Sequence, residues 1–314
     1  MFHLDEAAVH AGLPWRQAVD ALRGAHETQG KPFENVSVFN APDDAGDQFV
    51  NLTAWSPARM IAVKMVGVFP RNPGMTPPEP SVQGLVALFD GSTGRALMTC
   101  DGAAMTYRKT AADSALGADL LARPDAQVLA IAGAGGLASY VVEAHCAVRP
   151  IAKVIIWNRN RPRAEAMADT LRQPGREVVV VDDLTAHLPE ADIVSAVTMA
   201  RSPVIMGAAL KPGAHVDLVG AYLPDMREAD AETIRRAGRM FIDNRASFTS
   251  SGDGAGPLAE GLIAGPEADF FDLCTGRHPG RRSSDEITVC KNIGGGYLDL
   301  FLTEHLFRMQ PAQR

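Results

Sequence analysis

The spacing of hydrophobic positions changes along the chain, and each change marks an element. From residue 14 to 29, Val19, Leu22 and Ala25 or His26 fall on one stripe at helical spacing, with Pro14 suited to the first position, so an amphipathic helix is predicted. Extended segments follow around 36–40, 48–54 and 58–69. In the last, every residue from Met60 to Phe69 is apolar or glycine except Lys64, and period-two alternation puts Lys64 on one face with Met60, Ala62, Val66 and Val68. Arg71 to Pro80 is proline-rich and reads as a loop; 81–90 and 95–101 read as a hairpin around Gly91-Ser-Thr-Gly94. A helix is predicted from Met105, ending before Pro124. From there strands are predicted at 128–132, 154–157, 178–181, 192–197, 215–219, 240–243 and 287–290, with helical stretches between most of them. A last helix leaves Gly294-Gly-Gly.

The run Val128 to Ala132 reads as a buried parallel strand. It leads into Gly133-x-Gly135-x-x-Ala138, followed by a helical stretch at 137–148 and a second strand at 154–157. Strand, glycine turn, helix and strand in this order form the dinucleotide fingerprint. Gly133 permits the tight turn, Gly135 lets the backbone approach a pyrophosphate, and the small Ala138 lets helix and strand pack closely. The N-terminal N–H groups of the helix at 137–148 face that pyrophosphate. An acidic residue that would bind the ribose hydroxyls is absent. Asn158 and Arg159 stand in its place, with Arg161 and Arg163 close behind. A neutral amide followed by arginines accepts a 2′-phosphate, which points to NADP(H) rather than NAD(H). The alternative is a solvated basic loop. Repeated βα units behind the fingerprint predict a doubly wound parallel sheet.

Composition narrows the class. A chain of 314 residues suits two domains, and a 46% hydrophobic fraction supports sizeable cores. The net charge of −7 argues against non-specific nucleic-acid binding. No run is long enough for a membrane span, and the start lacks the basic and apolar regions of a signal peptide, so a cytoplasmic protein is expected. Cys100, Cys146, Cys274 and Cys290 are scattered and read as reduced thiols, and the histidines show no metal-ligand spacing, so no metal site is expected.

Two places carry candidate chemistry outside the fingerprint. Lys64 is a charge in an apolar strand. It is either an edge-strand lysine snorkelling to water or a pocket lysine that meets an anion. Arg108 and Lys109 fall in the first turn of the helix predicted from Met105, against the positive end of its dipole. That placement is sensible where an anion binds, and costs little where both are exposed.

Several separate stretches together resemble the ornithine cyclodeaminase/μ-crystallin family over nearly the whole chain. They are Val63-Lys64-Met-Val-Gly-Val-Phe-Pro70-Arg-Asn72, Ser81-Val-Gln-Gly-Leu-Val-Ala-Leu-Phe-Asp90, Thr110-Ala-Ala-Asp-Ser-Ala-Leu, Leu121-Ala-Arg-Pro-Asp125, Lys211-Pro-Gly-Ala-His-Val216 and Val219-Gly220-Ala-Tyr-Leu-Pro224-Asp-Met-Arg-Glu228. The resemblance implies a Rossmann domain, 113–293, inserted into a smaller α+β substrate and dimerisation domain made of 1–112 plus 294–314. It implies a homodimer, and a nicotinamide cofactor acting on small amino or imino acids. Lys64 matches the family's substrate lysine, and Lys109 a cation, usually Arg, that meets substrate carboxylate and cofactor phosphate. Arg108 stands one place away. Ser81, Thr110, Gly136, Leu137, Asn158 and Thr198 match cofactor-contact positions. Val219 matches a position near the nicotinamide, and Asn292 one near nicotinamide and substrate.

Two departures bear on the substrate. Cyclodeaminases carry a catalytic Asp where this chain has Tyr222, and the family's N-terminal carboxylate-binding Arg has no clear counterpart in Lys31-Pro-Phe-Glu34-Asn35. The expected activity is therefore NADPH-dependent reduction of a small imino acid such as a cyclic ketimine carboxylate. Lys64 would hold the carboxylate, Lys109 or Arg108 would add a second cation, and water or Lys64 would give the proton. The rivals are a cyclodeaminase or alanine dehydrogenase-like enzyme, and a non-enzymatic μ-crystallin-like ligand-binding protein.

Overall fold

The computed structural model describes residues 1–42 and 46–310. The last four residues of the tail assigned above to the substrate domain lie outside this range. Two compact units appear: Met1–Lys109 with Gly295–Arg314, and Thr110–Gly294.

The first unit begins with β1 (Phe2–Leu4), α1 (Glu6–Gly12) and α2 (Trp15–Thr28). Asp5 caps α1 by accepting from the Ala8 N–H, and α2 buries Ala18, Val19, Leu22, Ala25 and His26. The strands β2 (Phe33–Asn40), β3 (Gln48–Ser56), β4 (Met60–Val68), β5 (Val82–Asp90) and β6 (Ala96–Asp101) follow as an antiparallel meander. The sheet order is β1-β6-β5-β4-β3-β2, with β1 parallel to β6. Neither β1 nor α1 shows in the sequence pattern, because a three-residue strand is too short to display a period.

The helix α3 (Gly102–Leu121) starts three residues before the predicted Met105, directly off β6, and continues into the second unit. Arg108 and Lys109 therefore lie beyond the first turn, and the helix-dipole argument for them does not apply. At the far end of the chain, α9 (Gly296–Met309) returns to the first unit. It buries Tyr297, Leu298, Leu300, Phe301, Leu302 and Leu306.

The second unit is a wholly parallel sheet. It contains β7 (Val128–Ala132), α4 (Ala138–Val148), β8 (Lys153–Trp157), α5 (Arg161–Leu171), β9 (Glu177–Val180), β10 (Ile193–Ala196) and β11 (His215–Leu218). Then come α6 (Ala231–Ala237), the two-residue β12 (Phe241–Ile242), α7 (Gly252–Ala259), α8 (Phe270–Cys274) and β13 (Thr288–Lys291). The order β12-β13-β11-β10-β7-β8-β9 reverses direction between β7 and β10. In open α/β sheets the crevice at the carboxyl ends of the strands beside such a reversal is where ligands bind. The strands β7, β8, β10 and β11 are buried on both faces, as a parallel sheet requires.

Candidate active site

In the first unit, β4 lies between β3 and β5, so Lys64 is not on an edge. The snorkelling reading fails, because a central strand gives its side chain no short path to water. Lys64 is 5% exposed, in register with Leu52 and Val86, on the face that α9 covers. Its Nζ donates to Asp299 Oδ1 at 3.1 Å and lies 3.0 Å from Oδ2, and Asp299 is 1% exposed. The sequence reading leaves the substrate carboxylate as the partner of Lys64; the fold supplies Asp299 instead. Burial lowers the pKa of the Lys64 ammonium and the nearby Lys109 adds to this, while the attraction and hydrogen bond of Asp299 oppose it.

The neighbours Arg108 and Lys109 do different work. Arg108 donates from Nε to His10 Nδ1 at 2.8 Å and from a terminal nitrogen to the Leu13 carbonyl at 3.1 Å, and its guanidinium lies 3.9 Å from the centre of the Trp15 ring. It ties α3 to the N-terminal helices, and that commitment removes it as the substrate cation. Lys109 is 7% exposed, and among the described residues no hydrogen bond or ion pair holds its ammonium. Ser81 stands just before β5, half-buried, with its carbonyl accepting from the Phe69 N–H.

In the second unit, the carboxyl end of β7 turns at Gly133, whose φ of 113° is in the range only glycine adopts freely. A Cβ there would lie 2.5 Å from the Val197 carbonyl oxygen, so the turn packs directly on the segment leaving β10. A Cβ on exposed Gly135 would meet nothing in the protein, so packing does not require glycine there, whereas close approach of a pyrophosphate does. Leu137 is the N-cap of α4; the Ala138 N–H donates to the Gly135 carbonyl at 3.0 Å, and the remaining N–H groups of the first turn lack intrahelical acceptors and suit an anion. Thr110, on α3, is half-buried. These residues fit a dinucleotide.

Asn158 follows β8 and donates to the Asn160 carbonyl at 2.8 Å. Arg161 is taken up by Asp182 and Glu165. Arg159 and Arg163 are exposed and form no side-chain hydrogen bond or ion pair with the described residues. Thr198 and buried Val219 follow β10 and β11. Asn292, just after β13, donates through its amide to Asp217, which also accepts from Ser114 and Ser195 at 2.6 Å each. Asn292 is thereby oriented by a buried carboxylate.

Sequence reasoning gave no role to Asp299, Asp217 or Glu228. For Asp299 a signal exists: it is a lone acid in the apolar run Tyr297-Leu-Asp-Leu-Phe-Leu302, the mirror of the lone base in Met60–Phe69.

The family model described as "Ornithine cyclodeaminase/mu-crystallin family" matches residues 16–301. The chain belongs to that family. It is 40% identical over 304 residues to Delta(1)-pyrroline-2-carboxylate reductase of Paracoccus denitrificans, an alignment that covers 96% of this chain and 94% of the relative. Its fold is similar to Thermococcus litoralis Delta(1)-pyrroline-2-carboxylate reductase, solved with NADH and L-proline. There the TM-score is 0.89 at 26% identity, covering 98% and 97% of the two chains. The iminosuccinate reductase of Paracoccus denitrificans, solved with NAD+, gives 0.85 at 26% identity, covering 98% and 95%. The α/β architecture expected from the sequence, with a Rossmann-type parallel sheet, is that of these enzymes. Among the described residues, no helix is long and apolar enough to cross a membrane, and no cluster of His, Cys, Asp or Glu is arranged to hold a metal.

Proposed function

We propose that this chain, an oxidoreductase acting on imino acids, reduces a cyclic ketimine carboxylate of the pyrroline-2-carboxylate or piperideine-2-carboxylate kind, using NADPH. The observation that carries the reading is the charge balance around Lys64. Lys64 is paired with the carboxylate of Asp299 and has a second lysine, Lys109, near it, all three nearly buried. Among the described residues Lys109 has no hydrogen bond or ion pair, and a substrate carboxylate would supply one.

The reaction adds a hydride to the imine carbon and a proton to the nitrogen. A bound nicotinamide cofactor supplies the hydride. Lys109 holds the substrate carboxylate. Lys64 gives the proton: its ammonium becomes a neutral amine as the imine nitrogen becomes N–H, and its lowered pKa makes that transfer easier. Asp299 keeps the ammonium in place between turnovers. Tyr222, half-exposed, offers no carboxylate for cyclodeaminase chemistry.

The preference for NADPH is supported by Asn158, which does not repel a 2′-phosphate, and by the uncommitted Arg159 and Arg163. The homodimer is supported by the sheet face opposite Lys64. There Phe33 pairs with Trp55 and Phe39 with Phe49, all exposed, beside half-buried Ile61, Val63, Met65 and Leu85. The polar pairs Asn35–Thr53 and Ser37–Asn51 lie between them, and an exposed face carrying this many large apolar side chains suits a second copy of the chain.

The test is to incubate the protein with NADPH or NADH and a panel of cyclic imines, following absorbance at the nicotinamide band. Oxidation of NADPH with pyrroline- or piperideine-2-carboxylate is expected. Cofactor binding without turnover of any imine would replace this reading with a binding protein, and ammonia release from ornithine would replace it with a cyclodeaminase.

A further inference from the structure

The acid Glu228 is fully buried, and each of its oxygens accepts two hydrogen bonds. Oε1 accepts from the N–H and the hydroxyl of Thr198, both at 2.7 Å. Oε2 accepts from the N–H groups of Gly220 at 2.8 Å and Ala221 at 3.1 Å. One side chain therefore joins the segment leaving β10 to the segment leaving β11. The two segments also abut directly: a Cβ on Gly220 would lie 1.9 Å from the Thr198 carbonyl oxygen. Thr198 in turn touches the glycine turn, its Cγ2 lying 3.4 Å from where a Cβ of Gly133 would be. The acid is itself held, since Asp253 on α7 accepts from the Glu228 and Ala229 N–H groups at 2.9 and 3.2 Å.

We infer that Glu228 is a positioning residue for the reaction: its carboxylate fixes Thr198 and Val219 as one wall of the crevice beside the Gly133 turn, and so sets cofactor affinity. The inference rests on the functional reading above, in which that crevice takes the cofactor.

An acid serves here because four donors converge on two oxygens. A glutamine in the same place must turn its NH2 toward at least one backbone N–H, whichever way the amide lies. A protonated glutamic acid meets the same conflict, because its own hydrogen needs an oxygen edge already filled by donors. The charged groups facing Glu228 are Lys291 at the end of β13, which raises its acidity, and Asp253 on α7, which lowers it. Lys291 and Asp253 are both buried, with Nζ 3.8 Å from Oδ2. Burial is the largest influence and pushes Glu228 up to about 7. The clamp is therefore complete above neutrality and loosens as pH falls below it.

The experiment measures dissociation constants of NADPH and NADH by nucleotide fluorescence from pH 6 to 8.5, for the full chain and for Glu228→Gln. Imine KM, kcat and thermal unfolding are measured alongside. At pH 8, Glu228→Gln should bind cofactor more weakly by up to about tenfold, the loss of one hydrogen bond, with the imine KM changed far less. The wild type should lose affinity for both nucleotides as pH falls through about 7. NADH is the control, because it has no 2′-phosphate to titrate, and in Glu228→Gln this step should vanish. A folded Glu228→Gln with wild-type cofactor affinity and pH profile would overturn the inference. Should that variant fail to fold, a wild-type NADH affinity that is flat across neutrality overturns it equally. Binding of neither nucleotide would instead overturn the functional reading, and the inference with it.

Discussion

Replacing Lys64 tests the charge balance most directly, but only when Asp299 is changed with it. Lys64→Met keeps the stem volume and removes the ammonium. It also leaves the Asp299 carboxylate, 1% exposed, without the cation that lies 3.0 Å away. Removing one partner of a buried pair costs about 3–5 kcal/mol, because the remaining charge is left uncompensated. Replacing both with apolar groups is often neutral. Lys64→Met/Asp299→Leu should therefore unfold within ~1–2 kcal/mol of the wild type, giving a coupling energy of at least about 4 kcal/mol. Urea denaturation at pH 7 on the four members of the cycle measures it. Activity should behave differently. Loss of the general acid removes about two to four decades of kcat/KM in the single and double variants alike. Stability is restored by the second substitution; turnover is not. A Lys64→Met protein as stable as the double variant would refute the buried pair. A folded double variant with full activity would remove Lys64 from the mechanism.

Asn158→Asp should narrow or reverse the preference for NADPH by placing a carboxylate against the 2′-phosphate, and tighter NADH binding by the unmodified protein would show the reading of this turn to be wrong. The buried His26, which bonds the Leu22 carbonyl at 2.7 Å, is pushed down to about 4 by burial. Because the unfolded chain takes up that proton first, near 6.5, the stability it contributes is complete above ~6.5 and is lost as pH falls toward 4. His26→Gln should flatten the fall in unfolding free energy between pH 7.5 and 5 by ~2 kcal/mol, and an unchanged pH dependence in urea titrations would contradict this. Trp55→Asp, at an exposed position, should give a folded monomer in sedimentation experiments, and a persisting dimer would place the interface elsewhere.

Local physical chemistry is what the sequence by itself determines here. The parallel sheet is legible because strands buried on both faces must be short apolar runs. The Gly133 turn is legible because one backbone conformation and one close approach both demand glycine within a few residues. What neighbours a side chain across the fold is not local. Lys64 and Asp299 are 235 positions apart, and no periodicity links them. Arg108 and Lys109 are adjacent in the chain yet point about 100° apart around a helix. The fold commits the first to His10, Leu13 and Trp15, and leaves the second beside Lys64. The start of α3 is not local either: Gly102 is a poor helix former, and it is helical because the chain leaves β6 straight into the turn. Glu228 ends a recognisable stretch, but its four donors come from two separate segments leaving β10 and β11. A buried charge is stable only where the fold gathers its partners from distant parts of the chain. Composition and spacing can therefore mark such residues, and only the tertiary structure decides what they hold.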